Sequence, residues 1–317
     1  MKIMARKTST GIRKPMSPEA RAKIAEAVKK SAQKKRIEAG LPADQPLPQG
    51  PVRQKPIDIV QMRDQTFDKD LFVPMSTGRE VDFLFSLDGG INKATNYLVI
   101  GDPGVGKSTV TLDIVSDLVH LGYQCLFISA EMTRIDLFKY VERFPKFGHV
   151  DTLFLGEYCD DNPKLVIEEA LSKGYDLVLI DSFVEVQDSV KESTKVTSNS
   201  AEKWLIDQML KNNMGENDLG KNTTFLCIQQ VTKGGVFLGS NKLKHNTTGM
   251  LEIRFDEDMP GASFLHFTKN RRGPTNIKMY FELRSGGQVI YTDPAGQSLD
   301  PKNPIEQLAA LVNPFGK

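Results

Sequence analysis

Residues 101–109 read Gly101-Asp102-Pro103-Gly104-Val105-Gly106-Lys107-Ser108-Thr109, a glycine-rich run closed by a lysine and two hydroxyl residues. Residue types in this order can hold a polyphosphate. Glycines without Cβ let successive backbone N–H groups turn inward around the phosphates, and a helix starting at the end of the run adds its partial positive charge. Lys107 is then expected to reach the β- and γ-phosphate oxygens, and Ser108 to ligate Mg²⁺. The apolar run 97–100 before the loop reads as a strand, and Val110, Ile114 and Leu118 after it mark a helix face. The ligand implied is ATP with Mg²⁺.

Two carboxylates extend this chemistry. Asp181 ends the apolar run 177–180, at the carboxyl edge of a buried strand, where parallel sheets bind ligands. There it would orient the hydration shell of Mg²⁺; alternatively, with Ser182, it caps a turn. Glu131 lies just beyond the apolar run 125–129. It can polarise an attacking water, or be a solvated charge at a strand end.

Elements must position these groups. Residues 97–100, 124–129, 177–180 and 224–228 read as buried strands, while Ile135, Leu137 and Val141, then Trp204, Leu205, Met209 and Leu210, mark amphipathic helices. The alternation predicts an α/β fold with a mostly parallel sheet covered on both faces. After Gly249 the texture changes to the short runs 250–256, 263–268, 278–283 and 288–291 around a Pro260-Gly261 turn, an antiparallel C-terminal extension. A short apolar helix is expected over 305–312. The organisation read from this is a basic arm at 1–56, a core at 57–292 and a C-terminal tail at 293–317.

A chain of 317 residues with net charge +1 hides a strong asymmetry, because residues 1–56 hold 14 Lys+Arg against 4 Asp+Glu, about +10, leaving about −9 for the rest. The arm includes a helix start at Ser17-Pro18-Glu19, continuing to about Glu38, and an extended linker at 46–51. It reads as a mobile segment that orders on a polyanion. An arm of this charge attracts phosphate backbones with little sequence selectivity and a steep salt dependence. Residues 14–24 are similar to small DNA-binding modules appended to some endonucleases. Cys125, Cys159 and Cys227 are scattered without a CxxC, which suits a reducing compartment and argues against structural zinc. No secretory signal or membrane span is visible, so the expected location is cytoplasmic, nucleoid-associated or in an infected host cell, with no membrane partner.

Residues 75–291 together resemble the RecA-fold ATPases, and within them the RadA/Sms recombination proteins and the motor domain of DnaB-type replicative helicases. The resemblance begins at Ser76-Thr77-Gly78 and Leu87-Asp88-Gly89-Gly90-Ile91. It continues at Ile128-Ser129-Ala130-Glu131-Met132, which looks like the segment with the helicases' catalytic glutamate, and at Ile180-Asp181-Ser182, which is similar to the RadA Walker B strand end. Gln230-Val231-Thr232-Lys233 resembles a nucleotide-sensing segment leading to a DNA-facing loop, with Gln230 at a position that is usually His in RadA and Gln in the helicases. Lys269-Asn270-Arg271-Arg272-Gly273 resembles the KNRFG signature of RadA. The likeness implies that Lys269 and Arg271 reach the γ-phosphate bound by a neighbouring subunit. RadA/Sms proteins also carry an N-terminal four-cysteine zinc module and a C-terminal protease-like domain, and neither fits here, so a minimal motor core is expected.

This resemblance implies a RecA-like P-loop ATPase that is DNA-dependent, acts in recombination or repair, and works as a homo-oligomer, a hexameric ring or filament, on single-stranded or branched DNA. Alternatives are a DnaB-like helicase motor, an ATP-switched DNA-binding recombinase or annealing filament, and a regulatory ATPase acting on proteins. Two stretches read as DNA-facing loops: 183–198, containing Phe183, and 233–248, with Lys233, Phe237, Lys242, Lys244 and His245.

Overall fold

Strands built only of apolar residues must be covered on both faces. β1 (Asn96–Gly101), β2 (Cys125–Ser129), β4 (Leu177–Asp181) and β5 (Thr224–Ile228) are buried at every position, whereas β3 (Asp151–Phe154), at the sheet edge, is partly exposed. The structure, a computed structural model, describes residues 59–230, 241–284, 287–300 and 304–312, together with Lys23, Glu26, Ala27, Lys30, Ser31, Gln33 and Lys34. Among the described residues one sheet runs in the order β3-β2-β4-β5-β1-β6-β7-β8-β9. The six strands from β3 to β6 (Gly249–Phe255) are mutually parallel; β7 (Ser263–Asn270), β8 (Met279–Arg284) and β9 (Gln288–Thr292) extend the sheet antiparallel.

The period of two along a strand divides the core. Tyr97, Val99, Phe127 and Leu179 face α1 (Lys107–His120), which contributes Val110, Ile114 and Leu118. Leu98, Ile100, Ile128 and Ile180 face the other way, in one apolar cluster with residues of α3 (Pro163–Ser172), α4 (Phe183–Thr194) and α5 (Ser198–Asn213). Between these groups α2 (Arg134–Arg143) starts at a capping box of Thr133 and Asp136. The roll of α1 is fixed by Arg79, whose Nη1 lies 2.9 Å from Asp117 and also pairs with the fully buried Asp113, and by Lys146 at 2.6 Å from Asp117.

The approach to β1 is held by one carboxylate. Asp82, at the start of the helical turn Asp82–Phe85, accepts hydrogen bonds from Ser76 Oγ (2.7 Å), Thr77 N (2.8 Å), Thr77 Oγ1 (2.8 Å) and Gly78 N (3.0 Å). At the other end of that turn Phe85 meets Tyr97 and Phe267 edge-on, each at 5.2 Å between ring centroids. The Ser76-Thr77-Gly78 motif is thus half of a polar knot, buried at Thr77 and Asp82.

Several expectations change. Residues 183–198 are not a loop: Phe183, Val186 and Val190 recur at helical spacing, bury one face of α4, and remove Phe183 as a base-stacking platform. Ile135 was read as part of a buried face but is 75 % exposed, because Leu137 and Val141 point α2 the other way. β3, α3 and the buried face of α4 were missed. The 305–312 helix is present as α7 (Pro304–Val312), following α6 (Asn241–Asn246), which lies within the stretch read as a second DNA-facing loop.

The chain divides into two units, Met1–Thr66 and Phe67–Lys317. In the first, the described positions between 23 and 34 are helical, with Lys30 paired to Glu26 at 2.9 Å, and a 3-10 turn covers Met62–Asp64. The rest of the arm and its 46–51 linker lie outside the described residues, as do Val231, Thr232, Lys233 and Phe237 and the side chain of Lys242. No described helix is long and apolar enough to cross a membrane.

Replacing Asp82 by Ala leaves the buried amide and hydroxyl of Thr77 without their acceptor; a loss of roughly 2–4 kcal/mol is expected in urea unfolding, and an unchanged midpoint would contradict this role.

Candidate nucleotide site

Strand register assembles the site. Ser129, Asp181 and Ile228 are neighbours across β2, β4 and β5, and Val99 of β1 is paired to Ile228, so the carboxyl ends of four strands open at one edge. A cavity of about 520 Å³ there is lined by the loop residues Gly101, Pro103, Gly104, Gly106, Lys107, Ser108 and Thr109, with Glu131, Asp181 and Gln230 across from them. Tyr140 and Arg143 of α2 and Leu283 of β8 complete the lining.

Two glycines are required by this geometry. A Cβ on Gly101 would sit 1.9 Å from the Ile253 carbonyl oxygen, so no other residue lets β1 end against β6. Gly106 caps α1 at φ +99°, in the left-handed region, and its missing Cβ leaves room for Leu283. The helix N-terminus that follows points unpaired N–H groups into the cavity. Asp102 at the rim accepts from Arg254 Nη1 at 2.9 Å, and Arg254 also pairs with Glu252 at 3.1 Å. Val105 is buried beneath the loop.

Lys107 Nζ donates to the carbonyls of Gly101 and Asp102, both at 3.0 Å. Its burial lowers its pKa, against the pull of Asp181, Glu131 and Asp102. Ser108 Oγ donates to Asp181 Oδ2 at 2.5 Å. Asp181 is 3 % exposed, and desolvation raises its pKa to about 6, against the lowering effect of the Ser108 bond and of Lys107. A hydroxyl and a carboxylate on a strand end are hard oxygen donors for Mg²⁺, which keeps waters and shares substrate phosphates rather than filling a protein cage. The absence of any larger acidic or His/Cys cluster among the described residues fits that mode. The residues therefore fit the ion.

Glu131 is delivered by a tight turn: Ala130 N donates to the Asp181 carbonyl at 2.8 Å, and Ser129 Oγ donates to the Met132 carbonyl at 2.8 Å. Gln230 Nε2 donates to Glu131 Oε1 at 2.8 Å, so the residues read as base and sensor meet across the cavity mouth. Such a pair can orient a water against a bound phosphate.

Lys269 and Arg271 lie elsewhere. Asn270 pairs with Gly249, which pairs with Tyr97 at the start of β1, whereas the phosphate-binding loop leaves the opposite end, where Gly101 pairs with Ile253. Four residues of strand, about 13 Å, separate those ends. Lys269 Nζ donates to the carbonyls of Lys244 (2.6 Å) and Thr247 (2.7 Å), and Arg271 Nη2 to that of His245 (3.1 Å), at the end of α6. Asn270 Nδ2 ties this turn to the Leu84 and Phe85 carbonyls at 3.0 and 3.1 Å.

Sequence reasoning missed Tyr140, Arg143, Leu283 and Arg254. The helical spacing of Leu137, Tyr140 and Val141 was a usable signal for the first; nothing local marks the others.

A profile of the KaiC ATPase family matches residues 75–174. The chain is 29% identical over 212 residues to the DNA repair protein RadA of Campylobacter jejuni, covering 67% of this chain and 45% of that protein. It is also 29% identical over 224 residues to the DNA repair protein RadA of Streptococcus pneumoniae, covering 68% and 49%. It thus spans less than half the length of these relatives. A KaiC-like protein from Pyrococcus horikoshii superposes with a TM-score of 0.51 at 17% identity, over 70% of this chain and 99% of that one. The flagellar accessory protein FlaH from Methanocaldococcus jannaschii gives 0.50 at 13%, over 65% and 93%. The last two share the fold.

Asp181 gives a signed test. Its folded pKa of about 6 exceeds the ordinary aspartate value of 3.8, so the ligand-free fold binds the extra proton and loses stability as pH rises through about 6. Asp181→Asn should therefore stabilise the ligand-free protein at pH 7.5, by up to about 3 kcal/mol, with the gain vanishing near pH 4. Mg²⁺ affinity should show the opposite trend in the parent, rising with pH between 5.5 and 7, and this Asp181-dependent part should be missing in the variant. Thermal unfolding and Mg²⁺ titration check both.

Proposed function

We propose that this RecA-fold P-loop ATPase, similar in sequence to RadA, is a DNA-dependent ATPase of recombination or repair that hydrolyses ATP at contacts between copies of itself. The observation that carries the reading is the separation of Lys269 and Arg271 from their own chain's cavity by the length of a strand. Lys107, with the loop from Gly101 to Thr109, holds the phosphates. Ser108 and Asp181 would hold Mg²⁺, which would supply charge neutralisation to the phosphates. Glu131 takes the proton of the attacking water, and Gln230, bonded to Glu131, senses the γ-phosphate. A neighbour's Lys269 and Arg271 stabilise charge developing on the transferring phosphoryl group.

The DNA part of the proposal is supported by the RadA relatives and by the charge of residues 1–56. Glu185, Asp188 and Glu192 make α4 an unsuitable surface for a phosphate backbone, so the reading keeps the stretch 233–248 and the basic arm. Because Lys269 and Arg271 bond to carbonyls at the end of α6, their departure toward a neighbour's phosphate frees that end of α6, which couples nucleotide state to DNA contact.

Steady-state ATP hydrolysis with and without single-stranded DNA, at low and moderate salt, tests the reading. Stimulation that fades with salt is expected; hydrolysis indifferent to DNA at low salt would replace it with an ATPase acting on proteins. Glu131→Gln should bind ATP but lose turnover by about 10²–10⁴-fold, and Arg271→Ala should lose turnover by about 10³-fold or more while ATP affinity stays within a few-fold.

A further inference from the structure

The interface reading above leaves open which surfaces bring the two copies together. Beside the trans-acting cations, the turn at Gly273 is packed so closely on the helical turn Asp82–Phe85 that a Cβ there would lie 2.5 Å from the Phe85 carbonyl oxygen. Two residues beyond Phe85, Leu87 is 70 % exposed at this same end of the sheet. At the opposite end, α2 leaves the turn holding Glu131 and lines the cavity with Tyr140 and Arg143. Its outward face carries Ile135 and Phe138, three residues apart and thus adjacent on the helix, at 75 % and 60 % exposed. Single exposed apolar residues mean little. These two sets, however, flank the two separated parts of one catalytic site, one part holding Lys269 and Arg271 and the other the phosphate-binding cavity with Lys107, Glu131 and Asp181.

We propose that Ile135 and Phe138 of one copy receive Leu87 of the next, so that the contact seating Arg271 at the phosphate is apolar at its centre. This rests on the trans reading of Lys269 and Arg271. The two patches differ, so the contact is heterologous and propagates to a ring or filament instead of closing a two-fold dimer. The occupant is a second copy of this chain.

Mass photometry of the full chain with Mg²⁺ and a non-hydrolysable ATP analogue tests it. The parent should assemble. Ile135→Glu and Leu87→Glu should each shift the distribution to monomers and lower turnover at least tenfold. Fluorescent-analogue affinity should stay within about threefold, and the melting temperature without nucleotide should be unchanged, since both side chains are exposed within one copy. The double variant Ile135→Glu with Leu87→Lys should recover assembly. If both single variants assemble like the parent while Arg271→Ala assembles without hydrolysing, the surface assigned is wrong and the trans role survives. If Arg271→Ala hydrolyses at the parent rate, the trans role falls and this inference with it.

Discussion

A carboxylate with almost no water around it is costly to ionise without a counter-charge, and Asp181, its pKa raised to about 6, carries that cost until a cation arrives. Its bond to Ser108 joins the end of β4 to the first turn of α1, across the point where the nucleotide phosphates would lie. Other features of the site follow from keeping those two ends in register. Gly101 lets β1 end against β6, Asp113 and Asp117 fix the roll of α1 through Arg79 and Lys146, and Asp82 fixes the segment that leads into β1.

The same sheet that gathers the phosphate loop, Glu131, Asp181 and Gln230 at one edge sends Lys269 and Arg271 to the other. From its own chain the cavity has Lys107 to bind the phosphates. In the proposed arrangement the positive charge that stabilises transfer arrives only with a neighbour, so hydrolysis and assembly become one event. Within the ligand-free chain those cations bond to the end of α6, and one pair of side chains cannot satisfy both sets of acceptors at once.

How much of this was legible in the sequence follows from the range of the interactions. The phosphate loop and the strand before it are local, so glycine spacing and an apolar run suffice to place them. β1, β2, β4 and β5 could be read because fully buried strands are apolar without interruption. β3 was missed because, at the sheet edge, it carries Asp151 and Thr152. The face of α2 was misjudged at Ile135 because periodicity with three apolar positions allows two faces, and only the tertiary position of Leu137 decides between them. α4 was mistaken for a loop because its polar positions outnumber Phe183, Val186 and Val190. The Glu131 to Gln230 bond and the place of Arg254 depend on strand order, which local spacing does not encode.

The division of one catalytic site between two copies is tested most directly by mixing two inactive variants. Lys107→Ala removes the phosphate anchor and Arg271→Ala removes the trans cation. In mixed assemblies a cavity with intact Lys107 meets a neighbour with intact Arg271 in about one quarter of contacts if the two mix at random, so hydrolysis should return to about that fraction of the parent rate. A mixture as inactive as its components, under conditions where mass photometry shows mixed assemblies, would mean that both residues serve the same chain's phosphate and would contradict the shared site.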